Sequence, residues 1–366
     1  MRISVVGAGP AGLLAAREAS RLGASVTVYE AKRKIGGKAC GGLVSRSGLD
    51  GLDIEYEDAV LNSVSSAKIF SPSGKYIELS KGKGYALVLD RDAFDNILAY
   101  GARSEGAEII LGKRVTKLNG IVIGADGANS LFAKSVGINR KLLSAFQIEN
   151  KMKTDMDSVE LHFGSFAPGF FAWVIPVSEG LARMGLAYDV SLANRKFGNY
   201  DPETALRFLA KRRGYPWEPV SRTGGLIPIY DGKPAVHGSL ALVGDAAAQV
   251  KASTGGGIAI GGACARILGK TLGEGRELSS YESEWRAKFG RELRMHKLVY
   301  DFYRRLSDSD FEELISLVDD EIISILEKHA DMEGLENAFP VFLSYLSRHP
   351  VKALKISRFL KGFGTI

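Results

Sequence analysis

Short apolar blocks run along most of the chain, and three- and four-residue spacing takes over at its end. Ile3-Ser4-Val5-Val6 and Val26-Thr27-Val28-Tyr29 read as strands with a helix between them. Residues 83 to 112 predict a strand end, a helix from Arg91 to Ala102, and a short strand over Glu108-Ile109-Ile110-Leu111. Ile121-Val122-Ile123 is apolar on both faces, as in a buried parallel strand. From Leu143 to Ile229 the pattern changes. Val159 to Phe163, Phe170 to Val177 and Leu181 to Tyr188 are short β-like runs parted by Pro and Gly, which predicts an antiparallel sheet, with a helix over Asp201 to Arg213. Ser239 to Val243 predicts a further strand, Thr254 to Gly257 a glycine loop, and Ile258 to Leu272 a helix. From Tyr281 onward the period is helical, with Leu298, Val299, Phe302 and Leu306 at core-like spacing and Pro340 and Pro350 as breaks.

The first strand runs into Gly7-Ala8-Gly9-Pro10-Ala11-Gly12, and the second ends on Glu30. A βαβ unit with glycines at this turn and an acid after the second strand is the pattern of a dinucleotide site. Gly7 permits the tight turn, Gly9 lets backbone approach a pyrophosphate, and Gly12 lets helix and strand pack closely. The helix N-terminus offers free N–H groups and partial positive charge to phosphates. Glu30 stands where a carboxylate accepts from ribose hydroxyls.

A length of 366 residues suits two or three subdomains, and 45% hydrophobic with 25% charged residues is an ordinary globular balance. No run approaches the ~18 apolar residues of a membrane span. Met1-Arg2 leads directly into the first strand, so no cleavable leader is expected and a cytoplasmic location is. Two cysteines, Cys40 and Cys264, exclude a disulfide scaffold, and five scattered histidines lack metal-ligand spacing, so no metal is expected. The net charge of +6 is uneven: from Ser347 to the end, Arg348, Lys352, Lys355, Arg358 and Lys361 stand among Val351, Leu354, Ile356, Phe359, Leu360 and Phe363 with no acid in the segment. Such a tail suits either an anionic membrane surface, on its inner face, or a last helix packed on the body. No basic stretch with interleaved aromatics argues for nucleic acid.

Two further glycine-rich segments follow the first: Gly124-Ala125-Asp126-Gly127-Ala128-Asn129-Ser130 and Val243-Gly244-Asp245-Ala246-Ala247. Three such segments in this order resemble the flavoproteins whose FAD domain is like that of p-hydroxybenzoate hydroxylase and glutathione reductase. Within that group, Thr254-Gly255-Gly256-Gly257-Ile258, Lys38-Ala39-Cys40-Gly41-Gly42 and Pro168-Gly169-Phe170-Phe171-Ala172-Trp173-Val174-Ile175-Pro176 resemble the geranylgeranyl reductase family. Ile175 stands where that family usually has an aromatic residue, and Lys251-Ala252 where it usually has Asn-Pro. The resemblance implies an α/β fold: a discontinuous Rossmann-type FAD-binding domain over residues 1–52, 83–140 and 235–280, an inserted antiparallel β substrate domain over 53–82 and 141–234, and a helical C-terminal region over 281–366. It implies FAD as cofactor. The cofactor contacts it points to are Gly7, Gly9, Pro10, Ala11, Gly12, Glu30, Ala31, Lys38, Ala39, Arg91, Ala125, Asp126, Gly127, Gly244, Asp245, Gly255, Gly256, Gly257 and Ile258. The implied reaction is reduction of isolated C=C bonds in geranylgeranyl chains of membrane-lipid precursors.

Cys40 sits among Gly36, Gly37, Gly41 and Gly42, which lets backbone come close to a flavin ring. Its thiol is a candidate proton donor; a small residue chosen for packing is the alternative. Phe171 and Trp173 share one face of a strand and, with Pro176, are candidates for lining an isoprenoid slot; core packing is the alternative. No second nucleotide-binding βαβ unit is present, so the expected electron donor is transient NAD(P)H or a ferredoxin-like carrier. A flavin monooxygenase of a small aromatic or apolar substrate, and a non-catalytic prenyl-binding protein, stay as other readings.

Overall fold

The structure, a computed structural model, describes residues 1–335 and 337–360. The chain divides into two compact units, residues 1–60, 89–143 and 225–297 in the first, and 61–88, 144–224 and Leu298 onward in the second.

The first unit is built on a six-stranded sheet. Its order is Val236–His237, Leu240–Leu242, Ile121–Gly124, Arg2–Val6, Ser25–Tyr29 and Glu108–Ile110, parallel except at the Val236–His237 edge. The register Val5↔Val28 and Val5↔Ile123 lines up the ends of these strands, so the turns that follow them open at one edge. Helix Pro10–Arg21 starts on proline, whose missing N–H costs nothing in a first turn. It buries Leu13, Leu14, Ala15, Ala16 and Ala19. Full burial of Leu13 and Leu14 contributes roughly 1.5–3 kcal/mol each. Helix Ile258–Gly273 packs against it through small residues: a Cβ on Gly269 would stand 2.5 Å from the Ala15 carbonyl oxygen.

The second unit carries a seven-stranded sheet in the order Pro219–Pro228, Leu142–Lys151, Leu181–Tyr188, Phe171–Ser178, Ser158–Phe163, Ser66–Phe70 and Tyr76–Ser80. Pairing is antiparallel at the described interior ladders except between Ser66–Phe70 and Ser158–Phe163, which run parallel. One face is apolar: Ile148, Ala172, Val174, Met184 and Leu186 pack on Leu206 and Leu209 of helix Pro202–Arg213. Asp201 caps that helix from the Glu203 and Thr204 amides, and Gly214 closes it in the left-handed conformation.

The helical end differs from the sequence expectation in three ways. In helix Leu278–Tyr303 the buried face is Leu293, His296, Tyr300 and Tyr303, whereas Leu298 and Val299 are 38% and 37% exposed. Both stripes have helical spacing, and the larger tyrosine rings take the buried one. Pro340 does not break a helix; it is the third residue of Ala338–Arg348, inside the first turn where amides lack intrahelical acceptors. Pro350 begins helix Pro350–Leu360. Three of the basic residues there do meet acids, supplied by preceding segments: Arg348 bonds Glu321 at 2.9 Å, Lys352 pairs with Asp319, and Arg358 with Glu313. Lys361 and Phe363 lie outside the described residues, and no helix among the described residues is long and apolar enough to cross a membrane.

Candidate active site

Steric packing brings the three glycine-rich segments of the first unit together. Gly7 has φ +106°, and a Cβ there would stand 2.2 Å from the Ala125 carbonyl oxygen. A Cβ on Gly12 would meet the Gly7 carbonyl at 2.0 Å, and one on Gly244 would meet Ala11 Cβ at 2.7 Å. The Ala125 amide donates to Val6 O at 2.8 Å, joining the first two turns. Gly9, by contrast, has nothing within 4 Å of its Cβ position. It caps helix Pro10–Arg21 without a side chain, so the helix start is open on that side.

The acids are held by backbone. Glu30 accepts from the Ala8 amide and, across Ala31, from the Lys32 amide, each at 2.8 Å, which fixes its carboxylate beside the first turn. Two of its roughly four lone-pair sites stay available. Asp126 accepts from Ser130 Oγ and from the Leu131 amide at 2.7 Å, beside the Ser130 cap of the short helix Leu131–Ser135; Gly127 follows it with φ +83°. Asp245 faces Lys38, with Nζ donating to Oδ2 at 2.6 Å. A Cβ on Gly257 would come 3.1 Å from Asp245 Oδ1. The glycine loop therefore lies against this carboxylate. Its turn closes through the Lys251 amide donating to Gly256 O and the Gly255 amide donating to Lys251 O, and Ile258 then begins the helix.

Lys38, Cys40, Arg91 and Asp245 form one electrostatic cluster. Asp245 holds the Lys38 ammonium above its usual pKa, against the effect of burial and of Arg91. Arg91 is buried, bonding Asp95 through Nε at 3.1 Å and Nη2 at 2.9 Å. Burial works against its charge, but Cys40 and Asp95 outweigh that and raise its pKa. Cys40 is half-buried, and its Sγ accepts from the Gly42 amide at 3.3 Å. Ala39 lies under Gly225, whose Cβ position is 3.5 Å away. Cys264 is fully buried, and burial pushes its thiol well above the ordinary value, which makes it inert filler.

Several residues here carried no sequence signal. Gln249 receives the Gly244 amide at 2.8 Å and donates to Tyr281 OH, which donates to Leu242 O. Ser253, just before the glycine loop, sits 2.5 Å from His296 Nδ1. Asp95 was legible in principle, four residues after Arg91 on a helix.

The second unit holds the candidate apolar residues. Phe171 is 5% exposed and stacks on Phe170 at 4.3 Å, within an aromatic group that includes Phe163, Tyr303 and Phe311. Trp173 is half-buried on the same strand face, 6.4 Å from Phe171, and donates from Nε1 to Gln147 Oε1 at 3.0 Å. It lies flat on Gly185, where a Cβ would be 2.4 Å from the indole. Pro176 is buried, and its carbonyl accepts from Asn62 Nδ2 at 3.2 Å. Phe171 is thus packed within a core cluster, while Trp173 keeps exposed surface.

Residues 5–70 match the NAD(P)-binding Rossmann-like domain family. A digeranylgeranylglycerophospholipid reductase of Methanopyrus kandleri is 30% identical over 376 residues, covering 89% of this chain and 92% of its own. A geranylgeranyl bacteriochlorophyll reductase-like protein of Thermoplasma acidophilum has the same fold, with a TM-score of 0.80 at 24% identity and 98% of each chain covered. A flavin-dependent brominase shares it more distantly, with a TM-score of 0.69 at 16% identity over 95% of this chain and 99% of its own. The chain belongs to the digeranylgeranylglycerophospholipid reductase family.

Proposed function

We propose that this chain is an FAD-dependent reductase that saturates C=C bonds in the geranylgeranyl chains of membrane-lipid precursors. The observation that carries this reading is the mutual packing of the three glycine-rich turns, with Glu30 held at the end of its strand and Gly9 open above the helix start. These residues fit FAD. The open N-terminus of helix Pro10–Arg21 suits a pyrophosphate, Glu30 keeps acceptor capacity for ribose hydroxyls, and Asp245 with the Gly255–Gly257 loop suits the ribityl chain and ring. When bound, the flavin supplies a hydride equivalent to one alkene carbon.

The other alkene carbon needs a proton, and an isolated alkene offers little charge to stabilise beforehand. The protein's contribution is then alignment, exclusion of water and a positioned acid. Cys40 Sγ–H is our candidate acid. The Arg91 guanidinium lies beside the sulfur, and Asp95 keeps Arg91 in place. Trp173, with Phe171 behind it, supplies an apolar aromatic face for an isoprenoid chain. Transient NAD(P)H or a ferredoxin-like carrier is the proposed electron source. Val351 and Leu354, 68% and 74% exposed, are the proposed points of contact with a membrane surface.

The test is anaerobic. The purified protein's flavin is reduced, a digeranylgeranyl phospholipid is added, and reoxidation is followed by absorbance while the lipid is weighed by mass spectrometry. Reoxidation with the lipid gaining pairs of hydrogens supports the reductase. Flavin that stays reduced with lipid, yet turns over once oxygen and a small aromatic are admitted, rejects it in favour of a monooxygenase.

A further inference from the structure

We infer that Arg140 and Lys134 form a subsite for a phosphate oxyanion, set behind the second glycine-rich segment. A cavity of about 60 Å³ is lined there by Asn129, Ser130, Lys134 and Arg140, among others. That exceeds the ~10–15 Å³ that one water needs, so the cavity admits a small polar group.

The guanidinium supplies the specific signal. The Arg140 side chain is 3% exposed. Its Nη1 bonds Asp231 and its Nε donates to Ala246 O at 3.3 Å, while Nη2 is buried and has no acceptor among the described residues. A buried charged donor left unmade is destabilising, so the site has a standing preference for an acceptor.

The charge balance selects an anion. Asp231 is shared between Arg140 and Lys233, whose Nζ is 3.8 Å from its Oδ2, so one carboxylate serves two cations. The other acid nearby, Asp126, accepts from the neutral Ser130 Oγ and Leu131 amide and keeps its charge, so it offsets one cation more. Lys134 adds a third cation, bonded to the neutral Asn129 Oδ1, so three cations stand against two carboxylates. A water at Nη2 would satisfy the hydrogen bond and leave this excess positive charge uncompensated; a phosphate oxygen answers both. The phosphate of a lipid headgroup, the phosphate of a reduced dinucleotide, and free phosphate share this chemistry.

The experiment is calorimetric titration of the purified full chain with inorganic phosphate, its flavin content read beforehand from visible absorbance. Bound FAD keeps the titrant out of the dinucleotide site. The wild type is expected to bind saturably, with Lys134→Ala and Asn129→Asp weakening affinity about tenfold or more. Both side chains are exposed, so these variants fold even if Arg140→Gln, which strips Asp231 of its partner, does not. No saturable binding, or equal affinity in Lys134→Ala, overturns the subsite. Competition arms assign the source. Displacement by NADPH but not NADH marks a dinucleotide phosphate, displacement by glycerol phosphate but not glycerol marks a headgroup, and displacement by neither marks free phosphate. A chain purified without flavin that still shows the Lys134-dependent binding would sink the reductase reading and leave the subsite standing.

Discussion

Lys38 Nζ and Asp245 Oδ2 lie 2.6 Å apart although they stand 207 positions apart in the chain. The pair ties the segment before Cys40 to the turn that ends the Leu240–Leu242 strand, two stretches on which the proposed flavin site depends.

Asp245→Asn removes the charge that raises the Lys38 pKa and leaves the ammonium facing a neutral amide. We expect the purified variant to hold FAD at least tenfold more weakly, measured by titrating apoprotein with FAD and following flavin fluorescence. Lys38→Met should weaken FAD less, since it leaves the acceptor at Asp245 intact. Equal affinity in all three proteins would remove Asp245 from the cofactor site.

Arg91→Met leaves the Asp95 carboxylate, 3% exposed, without its bidentate partner. Breaking a buried ion pair in this way costs about 3–5 kcal/mol. Urea unfolding should show that loss, and the double variant Arg91→Met with Asp95→Leu should recover much of it. Cys40→Ser, in contrast, should retain flavin and stability and lose lipid saturation at least tenfold, read by mass spectrometry after a single anaerobic turnover.

Glu160 gives the second unit an acid-sensitive component. Burial opposes its charge, but hydrogen bonds from His162 at 2.8 Å, Arg213 at 2.6 Å and Tyr215 at 2.8 Å outweigh that and hold its pKa at about 2. Its unfolded value is near 4.5, so the unfolded chain takes the proton first. The stabilisation, about 3 kcal/mol, is complete above pH 4.5 and is lost as pH falls through about 2. Burial also lowers the His162 pKa, so the folded imidazole stays neutral where the unfolded one protonates, and stability falls with pH from about 6.5 downward. Denaturant midpoints from pH 7 to pH 3 should therefore decline in the wild type and decline less steeply in Glu160→Gln.

Gly185→Val tests the seat of Trp173. A Cβ there would overlap the indole at 2.4 Å, so the ring must lift and its bond to Gln147 must break. Overpacking of this kind costs about 1–3 kcal/mol. Tryptophan emission should shift, and KM for a digeranylgeranyl lipid should rise more than kcat falls. An unchanged KM would remove Trp173 from substrate contact.

Much of this architecture was legible because its signals are local. The short β-like run at Leu181–Tyr188, the apolar run at Ile121–Gly124 and the helical stretch from Asp201 to Arg213 each involve a few neighbouring residues, and the elements formed there. The glycine pattern around Gly7 was equally plain, since a turn with φ +106° excludes most side chains. The helical end was less legible. Leu298, Phe302 and Leu306 carry helical spacing as Leu293, His296, Tyr300 and Tyr303 do, and only packing selects which stripe is buried. The acids that meet Arg348, Lys352 and Arg358 come from elsewhere in the chain, so a segment without acids was not a segment without partners.

By itself, then, the sequence determined the βαβ unit, the order of its glycine turns and the resemblance to a reductase family, because backbone sterics and side-chain period act between near neighbours. Tertiary structure decided that Gly7 abuts Ala125, that Lys38 meets Asp245, that Trp173 rests on Gly185 and that Arg140 is buried with one nitrogen unmatched. These depend on which distant segments share a surface. Contact energies a few ångströms in range are set only after the chain has closed its long loops.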